Sequence, residues 1–124
     1  MQRPEQLIHR AVVGHLRMRG MPGIVFWHTP MGMFAGGARR KGASIQGAIM
    51  KSLGARAGVS DLIIVHQGKI FALELKAEGG RATEHQMAFI ADIERAGAFT
   101  CIATGVDQAV GALEAWGLLK GSAA

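Results

Sequence analysis

Two carboxylates and a lysine, Asp61, Glu74 and Lys76, lie near the ends of two neighbouring apolar segments. If Gln67-Gly68 is a two-residue hairpin loop, counting outward from it pairs Asp61 with Glu74. Directly opposed residues of a hairpin have Cβ atoms about 4.5–5.5 Å apart. Lys76 projects from the same face as Glu74, because side chains alternate along a strand. The three groups are therefore predicted to converge.

This convergence suits a divalent metal ion. Two like charges at about 5 Å repel by about 3 kcal/mol at an effective dielectric near 20, and a bound cation removes that cost. Carboxylate oxygens suit Mg²⁺ or Mn²⁺. A bound ion lowers the pKa of its water, and an amine can orient that water or stabilise the phosphate charge. We expect Asp61, Glu74 and the backbone carbonyl of Leu75 to bind metal, and Lys76 to be the catalytic amine.

The alternative for these charged residues is a salt bridge on an exposed hairpin. Both faces of the predicted hairpin are apolar, as expected for strands that helices cover on both sides. Burial of a charge without a partner is costly, so a functional site is favoured. The apolar residues on the Asp61 side are Ile63, Val65, Ile70 and Ala72, and those on the other side are Leu62, Ile64, Phe71, Leu73 and Leu75.

Two further polar residues are site candidates. Glu5 lies on the apolar stripe of a predicted helix over Pro4–Arg19, so we expect it to face the core and reach the metal. Alternatively, it is a first-turn glutamate that the helix dipole favours. Gln86 completes a capping box with Thr83, which explains it structurally, but its amide could also hold a water or a phosphate oxygen near Lys76.

The pattern of elements predicts an α/β fold. Helices are expected over Pro4–Arg19 and residues 44–53, 84–96 and 107–119, and strands over residues 24–28, 61–65, 69–76 and 99–103. This order predicts a three-layer α/β/α domain with a mixed central sheet, whose last β-α-β crossover joins parallel strands. A chain of 124 residues with 49% hydrophobic residues is expected to form one domain, residues 1–124, around one core.

Composition restricts the partners and the setting. The net charge of +5 makes a polyanion such as DNA a plausible partner. No apolar run reaches the roughly 18 residues of a membrane span, and no signal peptide is visible. The single cysteine, Cys101, excludes an internal disulfide, and we expect a cytoplasmic protein. The five histidines are scattered without zinc-finger spacing, so no zinc is expected.

Several basic residues are candidates for contacts with DNA phosphates. Three of them occur in a glycine-rich stretch that can order on DNA, although a solvated basic loop explains them equally simply. Three others flank the hairpin in the sequence. Because phosphate contacts position a duplex without reading its bases, we expect selectivity for DNA structure. The candidates are Arg39, Arg40, Lys41, Lys51, Arg56 and Arg81.

The motifs together resemble a known family. The run 58–61, Gly-Val-Ser-Asp, followed by Glu74-Leu75-Lys76, resembles the PD-(D/E)xK nuclease superfamily, with Ser60 where proline is common. With the segments 26–30, 51–61 and 74–81, the chain is similar to the stand-alone VRR-NUC nucleases of bacteria and phages over nearly its whole length. The resemblance implies a restriction-endonuclease-like fold and a homodimer acting on branched DNA such as four-way (Holliday) junctions. It also implies functional roles for Glu5, Asp61, Glu74, Lys76 and Gln86.

Three alternatives remain. A nuclease-fold module could bind DNA without cutting it, but the intact set of Asp61, Glu74 and Lys76 counts against this. A nuclease could instead prefer flaps or another DNA structure. An enzyme for a nucleotide substrate is disfavoured, because the sequence has no Walker-type glycine loop.

Overall fold

The computed structural model describes residues 3–30 and 41–121 of the chain, with side chains from residue 45 onward in the second range. Its helices are α1 (Pro4–Arg19), α2 (Lys41–Ser52), α3 (Glu84–Arg95) and α4 (Gly105–Ala115). Its strands are β1 (Val25–His28), β2 (Leu62–His66), β3 (Lys69–Lys76) and β4 (Phe99–Thr104). The order of helices and strands is the predicted one.

The four strands form one mixed sheet in the order β1-β2-β3-β4. The pairs β1–β2 and β2–β3 are antiparallel, and β3–β4 is parallel. Helix α3 connects the two parallel strands, as an antiparallel hairpin loop could not. The predicted α/β fold with a mixed sheet is confirmed.

The turn between β2 and β3 sets the register of the hairpin. Gln67 and Gly68 both have positive φ, 51° and 77°, which is the requirement of a type I′ two-residue turn. The turn pairs His66 with Lys69, and the pairing continues outward to the end of β2. One further step in this register sets Asp61, just before β2, against Glu74 of β3. The predicted register is therefore confirmed.

One face of the sheet carries the main hydrophobic core. Helices α1 and α4 pack on this face and on each other. The buried residues there are Val12, Leu16, Leu62, Ile64, Phe71, Leu73, Leu75, Ala103, Ala109 and Leu113, with Leu118 and Leu119 from the chain after α4. Burial of a large aliphatic side chain contributes about 1.5–3 kcal/mol, so this face supplies most of the driving force for folding.

The opposite face, which carries Asp61 and Glu74, is buried at its centre and open at its margins. Ile63 and Ala72 are buried, but Val25, Trp27 and Ile70 are 57%, 47% and 43% exposed within the described part of the chain. The expectation that helices cover both faces is therefore only partly correct. Among the described elements, α3 packs mainly against β4 at one side of the sheet.

Two helices differ from their predicted bounds. Helix α2 was expected to start at residue 44, but it already includes Lys41, so Ser44 lies inside it. The last helix begins at Gly105 and ends at Ala115, before the predicted end at 119. Gly117 has a φ of 74°, which an α-helix does not continue through, and the chain beyond it turns back into the core.

None of the helices described in residues 3–30 and 41–121 is long and apolar enough to span a bilayer.

Candidate active site

The hairpin fixes the backbone around the two acidic residues. The backbone N–H of Leu75 donates to Asp61 Oδ2 at 2.8 Å. The backbone N–H of Asp61 points to Glu74 Oε1 at 3.3 Å. Each carboxylate therefore accepts a hydrogen bond from the backbone near the other, and the predicted juxtaposition of Asp61 and Glu74 is present.

Lys76 and Gln86 complete a closed set of contacts around Glu74. Lys76 Nζ lies 3.3 Å from Glu74 Oε2 and donates to Gln86 Oε1 at 2.9 Å. Gln86 Nε2 donates to Glu74 Oε2 at 2.9 Å. Glu74 is only 2% exposed and Lys76 only 7% exposed. Buried and mutually bonded charges of this kind hold their side chains in one geometry, which favours a site over a surface salt bridge.

Gln86 also belongs to the predicted capping box of α3. Its backbone N–H donates to Thr83 Oγ1 at 3.1 Å, and its Oε1 accepts from the Thr83 backbone N–H at 2.9 Å. The sequence left a structural and a functional explanation open. The side-chain amide of Gln86 accepts from the backbone N–H of the N-cap residue Thr83 and also contacts Lys76 and Glu74, so both explanations hold.

Gly58 lets the loop before Asp61 pack closely against the helix that carries Gln86, a role that was not predicted. It has a φ of 84°, and a Cβ added there would lie 2.2 Å from the carbonyl oxygen of His85 and 2.7 Å from the backbone nitrogen of Gln86. Only glycine permits this approach of the loop to the first turn of α3. The loop that leads to Asp61 and the helix that carries Gln86 are thereby held in contact.

The electrostatics of Glu74 match the chemistry of a cation site. Burial and the neighbouring charge of Asp61 raise the pKa of Glu74 to about 8, and the opposing effect of Lys76 is smaller. At neutral pH Glu74 therefore holds a proton when no cation is bound. A divalent ion between the two carboxylates would favour the ionised form.

Glu5 does not face the core as expected. It is exposed, and the buried residues of α1 are Val12 and Leu16, two and three turns later. Glu5 nevertheless lines a surface pocket of about 280 Å³ together with Asp61 and His28. It thus borders the open side of the pocket that contains Asp61.

Two histidines lie at the same pocket. One potential ligand atom from each of His9, His28 and Asp61 lies within 4.8 Å of the other two. The His9 and His28 rings meet edge to face, with centroids 4.3 Å apart. Burial and the proximity of His28 lower the pKa of His9, against the opposing effect of Asp61.

The histidines were described from the sequence as scattered, but His9 and His28 lie side by side in the structure. Strand β1 pairs with β2 so that His28 lies opposite Leu62, next to Asp61. That pairing joins segments more than thirty residues apart, so no local sequence motif predicts it. For His9, its position one helical turn after Glu5 indicates that it could lie near the metal, although a histidine on a helix face is more often structural.

The residues predicted to contact DNA differ in their surroundings. Arg39 and Arg40 lie outside the described residues, as does the side chain of Lys41. Lys51 and Arg81 are exposed.

Arg56 is also exposed, but it is engaged within the protein. It donates to Asp92 Oδ2 at 2.6 Å, and its guanidinium lies 5.4 Å from the centroid of the Phe89 ring. It therefore ties its loop to α3, and binding a phosphate would require it to exchange partners.

Two arginines that were not predicted line a groove that includes His9 and His28. Arg10 and Arg17 line a groove of about 570 Å³ that also includes His9, His28 and Trp27. Seven residues, or two turns, separate the arginines, so they share one side of α1. This spacing was visible in the sequence and could have identified them.

Comparisons with known proteins identify the fold. No protein-family model and no curated protein matches the chain. A solved structure described as a VRR_NUC domain protein is similar, with a TM-score of 0.71 and 21% identity over 97% of this chain and 93% of that one. A second, described as a VRR_NUC domain, has a TM-score of 0.59 and 15% identity over 89% and 94% of the two chains.

The chain therefore has the VRR-NUC fold, a nuclease fold, and the two chains in each comparison cover one another almost from end to end. The resemblance stated from the sequence motifs is confirmed at the level of the fold.

Proposed function

We propose that the protein is a divalent-metal-dependent endonuclease that hydrolyses phosphodiester bonds of DNA. The observation that carries this proposal is the buried set in which Glu74 contacts Lys76 and Gln86 and lies beside Asp61. A buried carboxylate with a raised pKa next to a specific charged partner is typical of functional sites. The VRR-NUC fold of the chain supports the same conclusion.

The donor set fits Mg²⁺ or Mn²⁺. Asp61 and Glu74 offer closely spaced carboxylate oxygens, which such ions prefer. Glu5 and the backbone carbonyl of Leu75 are the further proposed ligands. When bound, the ion would lower the pKa of a water and stabilise charge on the phosphate.

The other residues have roles in positioning. The amine of Lys76 is held by Glu74 and Gln86, so it is oriented before a substrate arrives. We assign it the orientation of the attacking water and stabilisation of the developing negative charge. Gln86 fixes the amine and ties the site to the first turn of α3.

The proposed substrate is DNA with a branched structure, such as a four-way junction. The net charge of +5 and the basic groove with Arg10 and Arg17 support binding to a polyanion. Exposed Lys51 and Arg81, with Arg39, Arg40 and Lys41, are the further proposed phosphate contacts. The preference for branched DNA comes from the resemblance to VRR-NUC nucleases.

The protein is proposed to act as a homodimer, because symmetric cuts in a two-fold junction need two sites related by symmetry. Two exposed apolar regions support this. One is the open sheet margin with Val25, Trp27 and Ile70, and the other is α2, where Ile45 and Ile49 are 62% and 54% exposed. Such surfaces commonly mark interfaces.

Light scattering after size exclusion tests the dimer. A dimeric mass is expected for the wild type and a monomeric mass for Ile49→Glu, because a charge would enter the apolar surface. Lys51→Glu, on the opposite side of α2, is the control and should remain dimeric. A monomeric wild type at 100 μM would reject the dimer.

A substrate panel tests the activity. The pure protein is incubated with junction, flap and linear DNA, with Mg²⁺, with Mn²⁺ and with a chelator. We expect cleavage only with metal, strongest on branched DNA, and a loss of about 10²–10³-fold in Lys76→Ala. Metal-independent binding without any cleavage would favour the non-cleaving module, and mapped cuts at flaps would favour the flap nuclease.

A further inference from the structure

A second set of potential metal ligands lies on the open side of Asp61. His9 of α1, His28 of β1 and Asp61 each place one ligand atom within 4.8 Å of the other two. They line the pocket of about 280 Å³ that also includes Glu5. Three elements distant in the sequence thus bring two imidazoles and a carboxylate to one accessible point.

The hydrogen bonding of His28 leaves it ready to bind a metal. Its Nδ1 lies 2.8 Å from the backbone carbonyl oxygen of Asp61. A carbonyl oxygen only accepts, so Nδ1 must carry the proton and donate it. The lone pair of His28 is then on Nε2. Metal-binding histidines usually have this arrangement, in which the other ring nitrogen donates to a carbonyl or carboxylate and fixes the ring.

Asp61 can serve this set while it keeps its hydrogen bond to the backbone of β3. Its Oδ2 accepts from the backbone N–H of Leu75, which holds the carboxylate in place. A carboxylate has two oxygens and about four acceptor positions, so Asp61 has acceptor positions beyond the one that Leu75 uses, and one of its oxygens is the ligand atom of this set. The same carboxylate lies beside Glu74.

The spacing is close to that of a bound ion. Metal–nitrogen bonds of about 2.0–2.1 Å at tetrahedral angles separate two ligand atoms by about 3.4 Å. The widest separation in the set is under 4.8 Å, so closure requires a contraction of at most about 1.4 Å. Three protein ligands with an accessible fourth position are typical of open metal sites.

We propose that His9, His28 and Asp61 bind a transition-metal dication of the Mn²⁺-to-Zn²⁺ series, with Glu5 at the rim of the site. Imidazole nitrogens favour such ions, whereas Mg²⁺ takes oxygen ligands. The site shares Asp61 with the proposed catalytic pair but differs from it in chemistry. Binding is measured directly, so the inference does not depend on the proposed nuclease activity.

The test is a titration of the metal-free protein with Co²⁺, a probe whose visible absorption reports ligand type, and with Zn²⁺ by calorimetry. One equivalent should bind to the wild type. The imidazole NMR signals of His9 and His28 should shift with Zn²⁺, while those of His15, His66 and His85 stay in place. A 100-fold excess of Mg²⁺ should leave most of the Co²⁺ bound.

Four variants make the assignment specific. His9→Ala and His28→Ala should each weaken binding at least tenfold. His66→Ala is the matched control, because it removes an imidazole about 16 Å along β2 from Asp61 and should bind as the wild type does. Glu74→Gln should retain imidazole-dependent binding while losing DNA cleavage, which separates this site from the proposed activity.

The inference is overturned if His9→Ala and His28→Ala, shown to be folded by circular dichroism, bind Co²⁺ as the wild type does. It is also overturned if Zn²⁺ leaves the wild-type signals of His9 and His28 unmoved, a readout that needs no variant. Displacement of Co²⁺ by stoichiometric Mg²⁺ would place the ion on the carboxylates and would equally contradict it.

Discussion

The two faces of the sheet differ in what they do. On one face α1 and α4 bury a continuous apolar core. On the other, Glu74 and Lys76 are buried near an open margin with exposed Trp27 and Ile70. Neighbouring residues of β3 therefore belong to different environments, because their side chains alternate between the faces.

This difference indicates that stability and chemistry are largely separate in this fold. Leu73 and Glu74 are consecutive, and both are almost fully buried. Leu73 packs in the main core, whereas the carboxylate of Glu74 contacts the side chains of Gln86 and Lys76. Substitutions on the first face should change mainly the free energy of unfolding, and those on the second mainly cleavage or metal binding.

The largest expected effect on stability is that of Leu73→Ala. Removing a fully buried leucine leaves a cavity in the core, with a cost of about 2–5 kcal/mol. Urea unfolding measures this loss. Leu7→Ala is the control, because Leu7 is exposed, and should change the free energy by less than about 0.5 kcal/mol. Equal effects of the two variants would contradict the assignment of the core to this face.

The site face should give a pH dependence of stability that the core face lacks. The pKa of Glu74 is raised from 4.5 to about 8 in the folded protein. At a pH well below 4.5 the Glu74 carboxyl is protonated in both the folded and the unfolded protein. As the pH rises, the unfolded protein loses this proton first, and the folded protein loses it only near pH 8. Without metal, the free energy of unfolding should therefore fall by about 1.4 kcal/mol per pH unit between pH 5 and 7 and level off above pH 8.

Glu74→Gln isolates this effect. The lowered pKa of His9 acts in the opposite direction as pH rises to 6.5, but it is common to both proteins and cancels in the difference. Relative to Glu74→Gln, the metal-free wild type should lose about 3 kcal/mol between pH 5 and 7. Parallel stability curves for the two proteins would show that Glu74 is ionised without a cation.

Gly58→Ala should damage the contact between the loop before Asp61 and the first turn of α3. The added Cβ would overlap the backbone of His85 at a positive φ, and we expect a loss of at least about 2 kcal/mol. Gly54→Ala is a matched control, since Gly54 also has a positive φ but no atom within 4 Å of the new Cβ. Thermal unfolding should show a clearly larger loss for Gly58→Ala, and a similar loss for both would contradict a role for the contact with α3.

The smallest effect is expected at Ser60. Its Oγ is buried and has no hydrogen-bond partner within the described part of the chain. Ser60→Ala removes this unpaired hydroxyl and should stabilise the protein by about 1 kcal/mol, measured by urea unfolding. Ser52→Ala, which loses a bond to the Ile49 carbonyl, should not stabilise it. Destabilisation by Ser60→Ala would indicate a partner for the hydroxyl.

Features determined by local sequence were predictable. The glycine of the Gln67-Gly68 turn fixed the hairpin and with it the juxtaposition of Asp61 and Glu74. The capping box of Thr83 and Gln86 marked the start of α3. Both depend on residues a few positions apart, where turn and cap chemistry is decisive.

Features that depend on distant pairing were not predictable. The proximity of His28 to Asp61 follows from the pairing of β1 with β2, and that of His9 follows from the packing of α1. The exposure of Glu5 has the same origin, because the stripe of α1 is buried only from Val12 onward. Periodicity indicates which side of a helix is apolar, but not where along its length the sheet begins to cover it.

The most direct test of the central claim is single-turnover cleavage of a four-way DNA junction with Mn²⁺ by three proteins. The wild type and Glu78→Gln, an exposed glutamate two residues beyond Lys76, should cleave at similar rates. Glu74→Gln should bind the junction but cleave it at least about 10³-fold more slowly, because a metal ligand is lost. Wild-type cleavage rates in Glu74→Gln would contradict the proposed site.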